Sequence, residues 1–94
     1  MKRAEVTIVN RLGLHARPSA ALTQLATRFG SEVFLSKGAR RVNGKSIMGV
    51  MMLAAAKGSV IVVEADGKDE DEAMQALVDL IESGFGEEIA DKGR

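Results

Sequence analysis

The sequence predicts an α+β domain, an antiparallel sheet covered on one face by helices. Three observations carry this reading. Strand-like and helix-like periodicities follow one another in the order β-α-β-β-α-β-α. The strands are too few and too short for a nucleotide-binding parallel sheet. The 94 residues are enough for one ordinary core and too few for a two-domain enzyme with a cleft between its halves.

The first element is "AEVTIV", residues 4–9, where Val6 and Ile8 share one face and Glu5, Thr7 and Val9 the other. After Gly13 a helix is expected over 16–29. Leu22, Leu25, Ala26 and Phe29 form its apolar stripe, and Gly30 ends it. "SEVFLS" (31–36) and "RRVN" (40–43), joined through Lys37-Gly38-Ala39, read as a hairpin. "SIMGVMML" (46–53) reads as a short helix with Ser46 as its N-cap. "VIVVEA" (60–65) is a buried strand. Asp69 then caps a last helix with the stripe Ala73, Met74, Leu77, Leu80 and Ile81, running to about Gly84. Residues 1–86 make one domain, and the polar stretch 87–94 is expected to be a frayed tail.

Composition excludes several classes of function. Cysteine is absent and there is one histidine with no acidic cluster nearby, so no metal or other cofactor is expected. The N-terminus turns polar too soon for a signal peptide. No apolar run approaches the roughly 18 residues that span a bilayer, which points to the cytoplasm and to no membrane insertion. Net charge is zero, yet residues 1–47 carry +7 and residues 48–94 carry −7. The basic half suits phosphate or an acidic protein surface. Nucleic acid is disfavoured, since the chain has three Phe, no Tyr or Trp, and no aromatic-interleaved basic motif.

The basic half also holds "NRLGLHARPSA", residues 10–20, with the single histidine and the single proline of the chain, His15 and Pro18. Proline is well tolerated in the first helical turn, so Pro18 marks a helix start and places His15 at or beside the N-cap. The free N–H groups of Ala16 and Arg17, the helix dipole and the Arg17 guanidinium make that end attractive to an anion. A neutral imidazole nitrogen can attack a phosphoryl group, giving a phosphohistidine. A histidine in such a place is commonly a plain cap or surface residue, so spacing alone leaves both readings open. Asp and Glu are absent between Glu5 and Glu32, so no local carboxylate orients His15 as in a hydrolase triad, and independent turnover is not expected.

"LGLHARPSA" resembles the active-site segment of the HPr family, phosphocarrier proteins of the bacterial phosphotransferase system. "NGKSIMGVMMLAAAKGS", 43–59, resembles the second motif of that family, so the likeness spans roughly residues 3–84. The resemblance implies an HPr-like open-faced β-sandwich of four antiparallel strands with three helices on one side. It implies that His15 takes a phosphoryl group on Nδ1 from phosphorylated enzyme I, charged by phosphoenolpyruvate, and passes it to IIA domains or proteins. Arg17 would stabilise the phosphoryl group. Ser46 matches the serine that an HPr kinase/phosphorylase modifies in many members, although as an N-cap it already has a structural role. The ending "IESGFGEE" is similar to that of the nitrogen-branch relative NPr, whereas "KSIMGVM" looks more like HPr itself.

Ile47, Met48, Val50, Met51, Met52 and Leu53 surround the short helix, so some must remain exposed. Ile47, Met48 and Met51 are the candidate docking residues, rimmed by Arg11, Arg17, Arg28, Arg40, Arg41 and Lys45. A monomer is expected. The rival function is an HPr-like interaction module that binds a regulator and is never phosphorylated.

Overall fold

The computed structural model describes residues 1–87. Its elements are β1 (Lys2–Thr7), α1 (Ala16–Thr27), β2 (Glu32–Lys37), β3 (Arg40–Asn43), α2 (Ile47–Met52), β4 (Val60–Asp66) and α3 (Glu70–Glu82), followed by a short 3-10 turn, Gly84–Gly86. The four strands form one sheet in the order β1-β4-β2-β3, with every neighbouring pair antiparallel. Thus β4, the most continuously apolar segment, lies inside the sheet, and the polar β3 lies at an edge, where unpaired backbone groups meet water.

Alternation along the strands makes the two faces unequal. Val6, Val33, Leu35, Ile61, Val63 and Ala65 are buried on one face, where Leu22 and Ala26 of α1, Val50 of α2, and Ala73, Leu77 and Ile81 of α3 close over them. Ile8, Leu22, Leu35, Ile61, Leu77 and Ile81 have no exposed surface. Each fully buried side chain of this kind contributes roughly 1.5–3 kcal/mol. On the other face lie Phe34, Ser36, Val62 and Glu64, all partly exposed.

The expected fold class and element order are those observed, and the boundaries moved by up to two residues. The first strand runs 2–7, because Ile8 leaves the ladder while staying buried; its N–H binds the Ser59 carbonyl at 2.8 Å. The first helix ends at Thr27, before Gly30. Asp69 occupies the N-cap position of α3, but its carboxylate makes no capping bond. It reaches across to the α1–β2 turn instead, accepting from the N–H groups of Gly30 (2.9 Å) and Ser31 (3.0 Å) and from the Ser31 hydroxyl. These donors, the hydroxyl first, hold the Asp69 carboxyl below its ordinary range.

The expectation of a frayed tail from residue 87 does not hold for its first residue; 88–94 lie outside the described residues. Gly84, Phe85 and Gly86 all have positive φ and turn the chain back on itself after α3. Phe85 packs against the core, and the Glu87 N–H binds the Gly84 carbonyl at 2.9 Å. Those contacts deliver Glu87 to the loop that precedes α1.

Candidate functional site

The site is built where β1 ends and α1 begins. Gly13 sits at φ 68°, and a side chain there would run into the Ala55 carbonyl, so only glycine fits without displacing backbone. The close approach serves the loop: the Leu14 N–H binds the Ala55 carbonyl at 2.9 Å, tying the segment before His15 to the connection between α2 and β4. Buried Ser19 donates from its hydroxyl to the Leu14 carbonyl at 3.1 Å. The loop is thereby held from both sides.

His15 is the N-cap of α1, with φ −77° and ψ −168°, and its ring makes no capping bond. Its carbonyl accepts from the Ser19 N–H at 3.0 Å, the first helical bond. Pro18, buried in the first turn, has no N–H to offer. Among the described residues, the N–H groups of Ala16 and Arg17 therefore stay unbonded at the positive end of the helix. Arg17 is exposed and lines, with Arg11, Leu12, His15 and Glu87, a shallow depression of about 290 Å³.

Sequence reasoning missed Asn10 and Glu87. Both Glu87 carboxylate oxygens lie 3.1 Å from His15 Nε2. Asn10, fully buried, donates from Nδ2 to Glu87 Oε1 at 3.1 Å and to the Gly13 carbonyl at 2.8 Å. An ionised carboxylate has only acceptors, so the hydrogen in the His15–Glu87 contact belongs to Nε2. No hydrogen bond occupies Nδ1 among the described residues. Burial pushes the Glu87 carboxyl up, but the hydrogen bonds from His15 and Asn10, with the charges of His15 and Arg17, outweigh it and hold the group below its ordinary range. The absence of a carboxylate near His15 in sequence is thus made good from the far end of the domain.

These features together give a ring hydrogen-bonded to a carboxylate through Nε2, with Nδ1 open and three donors nearby that suit an anion. The family model for the PTS HPr component phosphorylation site, PTS being the phosphotransferase system, matches residues 2–83. The chain belongs to the HPr family. The phosphocarrier protein HPr of Neisseria meningitidis is 61% identical over 87 residues, covering 93% of this chain and 98% of that one. A crystal structure of HPr from Thermoanaerobacter tengcongensis matches with a TM-score of 0.91 at 50% identity, covering 95% of this chain and all of the other. A structure of an HPr dimer from the same organism matches at 0.74, also at 50% identity, covering 93% of this chain and all of the other. HPr proteins are phosphocarriers, not enzymes.

The second HPr motif lies against the first, since α2 packs on α1. Ser46 is the N-cap of α2, its hydroxyl accepting from the Gly49 N–H at 3.0 Å. Ile47, Met48 and Met51 are all exposed, Met48 to 71%, while Val50 and Leu53 go inward. Met52 and Leu12, exposed to 57% and 69%, are not among the docking candidates, yet both are more open than Ile47 and Met51. The basic rim is partly spent on the fold. Arg40 donates to the Met52 carbonyl at 2.7 Å and Lys45 to that of Phe29 at 2.9 Å. Arg41 lies on the open face of the sheet, donating to Glu64 at 2.9 Å with its guanidinium 3.8 Å above the Phe34 ring, so it does not rim the docking surface. No helix among the described residues is long and apolar enough to cross a membrane.

Proposed function

We propose that the chain accepts a phosphoryl group on Nδ1 of His15 from phosphorylated enzyme I and passes it to IIA domains or proteins. The observation that supports this most is a histidine N-cap with Nδ1 open, beside Arg17 and two unbonded helix N–H groups, in an HPr-family chain. The Nδ1 lone pair attacks phosphorus, an N–P bond forms, and the donor's bond to phosphorus breaks with its electron pair leaving on the donor atom. Arg17 and the N–H groups of Ala16 and Arg17 hold the phosphoryl oxygens. Transfer to the acceptor is the same step in reverse.

The exposed Ile47, Met48 and Met51 supply a deformable apolar surface on which successive partners dock. Ser46 beside them is the regulatory site in this reading, modified by an HPr kinase/phosphorylase. A phosphate there adds about two negative charges next to the docking surface and repels an acidic partner. The carrier works as a single chain in the cytoplasm, each partner meeting His15 in turn.

The test is incubation with enzyme I and phosphoenolpyruvate, with the mass read at neutral and at acidic pH. One acid-labile phosphate, absent in His15→Ala, is expected. No uptake from a competent enzyme I would favour the unphosphorylated interaction module instead.

A further inference from the structure

We infer that Met48, Met51 and Met52 form a redox-sensitive modification site: a hydroperoxide converts their thioethers to sulfoxides, and the modified α2 docks its partners more weakly. The inference rests on the docking reading of α2 given above and deepens it by naming a way in which that surface is regulated.

Helical spacing brings the sulfurs together. In α2, Met51 follows Ile47 by four positions and Met48 by three, and Met52 follows Met48 by four, so all four side chains share one side of the helix. Val50 and Leu53 take the buried side. The shared side is open, with Met48 exposed to 71%, Met52 to 57% and Met51 to 39%. Three of its four side chains are therefore thioethers within reach of a small oxidant in water. The other two methionines of the chain are placed differently. Met1 precedes β1 and is exposed, whereas Met74 of α3 packs against the core.

The chemistry is a two-electron oxygen transfer. The sulfur lone pair attacks one oxygen of the hydroperoxide, an S–O bond forms, the O–O bond breaks, and the proton on the transferred oxygen passes to the leaving oxygen. Sulfur is oxidised, and the hydroperoxide is reduced to an alcohol or, for hydrogen peroxide, to water. The product presents a polar acceptor where a deformable apolar surface stood. Docking then buries a sulfoxide oxygen with no donor facing it, which lowers affinity. Ile47 is the one side chain of the four left apolar. Val50 and Leu53 carry no sulfur, so the seat of α2 on the core is kept, and sulfoxide reductases reverse the change.

The test treats the chain with dilute hydrogen peroxide, maps the added oxygen by peptide mass spectrometry, and measures KM and kcat for phosphate uptake from phosphorylated enzyme I. Met48 and Met52 should oxidise before Met74. KM for the carrier is expected to rise by about fivefold or more with kcat little changed, because an unpaired buried oxygen weakens binding and leaves the transfer step alone. Methionine sulfoxide reductases A and B together should return KM to its untreated value, which tests the site without any substitution. Met48→Leu/Met51→Leu/Met52→Leu, compared with its own untreated form, should show a KM ratio near one even though Met1 still oxidises. An unchanged KM with the three sulfurs oxidised, an equal rise in the leucine variant, or loss of the circular dichroism of the fold on oxidation overturns the proposal. Failure of the untreated wild-type chain to take up phosphate would instead count against the carrier reading.

Discussion

His15 and Glu87 stand 72 positions apart in the chain, yet Nε2 of one lies 3.1 Å from both carboxylate oxygens of the other. The contact closes the domain on itself, joining the start of α1 to the turn that follows α3. It also divides the ring, with Nε2 engaged by Glu87 and Nδ1 without a hydrogen bond among the described residues. The surroundings of His15 therefore depend on segments far apart in the chain.

The loop before His15 tolerates no side chain at Gly13, where φ is 68° and a Cβ would strike the Ala55 carbonyl. Gly13→Ala is expected to destabilise the domain by about 1–3 kcal/mol, read as a lower denaturant midpoint with an unchanged slope. It should also slow phosphate uptake by displacing His15. Ala at the exposed Gly38, which also has positive φ but meets nothing within 4 Å, should cost less.

Leu22 is the α1 residue that docks the site on the sheet, with no exposed surface. Leu22→Ala is expected to cost about 2–5 kcal/mol. Chemical denaturation would show it, and the helix start that carries His15 would gain mobility in amide exchange.

Asp69 links α3 to the turn after α1 through Gly30 and Ser31. Its carboxyl is held below the ordinary value of 3.8, so the folded state binds that proton more weakly than the unfolded state does. The stabilisation is therefore fully present above that ordinary value and is lost as pH falls through the lower folded value. Thermal midpoints measured from about pH 5 down to about pH 2 should fall less steeply in Asp69→Asn than in wild type. Equal slopes would show that the bond to Ser31 has no part in acid unfolding.

Ser46 caps α2 through the Gly49 N–H. Ser46→Ala is expected to cost about 1 kcal/mol in stability and to leave phosphate uptake at His15 near wild type. Ser46→Asp keeps a capping acceptor while adding charge beside Met48, and should weaken docking of enzyme I, seen as a raised KM for the carrier. An unchanged KM would remove Ser46 from the docking surface.

Local patterns revealed most of the fold. The alternation in "AEVTIV" and "VIVVEA", the Leu22/Ala26 stripe and the Ser46 cap each describe neighbours in sequence, and each element formed where its pattern lies. The helix-start character of "HARPSA" was equally local, because Pro18 and the N-cap act within one turn. Asn10 and Glu87 were not readable in this way. Their role depends on where the domain brings its two ends, and a polar ending such as "GFGEE" resembles a solvated tail until Phe85 is seen to pack. The glycines on either side of Phe85 were the available signal, marking a tight turn pinned by an aromatic ring. Asp69 shows the converse case: the cap position was right, and a partner 38 residues away in sequence took its side chain.

The central claim is that Nδ1 of His15 accepts the phosphoryl group while Nε2 keeps its proton toward Glu87. The most direct test is 15N NMR of the chain labelled on histidine, after phosphorylation by enzyme I and phosphoenolpyruvate, reading phosphorus–nitrogen coupling and the remaining N–H. Coupling to Nδ1 with the proton on Nε2 is the predicted result. Coupling to Nε2, or phosphate uptake with the His15 resonances unmoved, would contradict it.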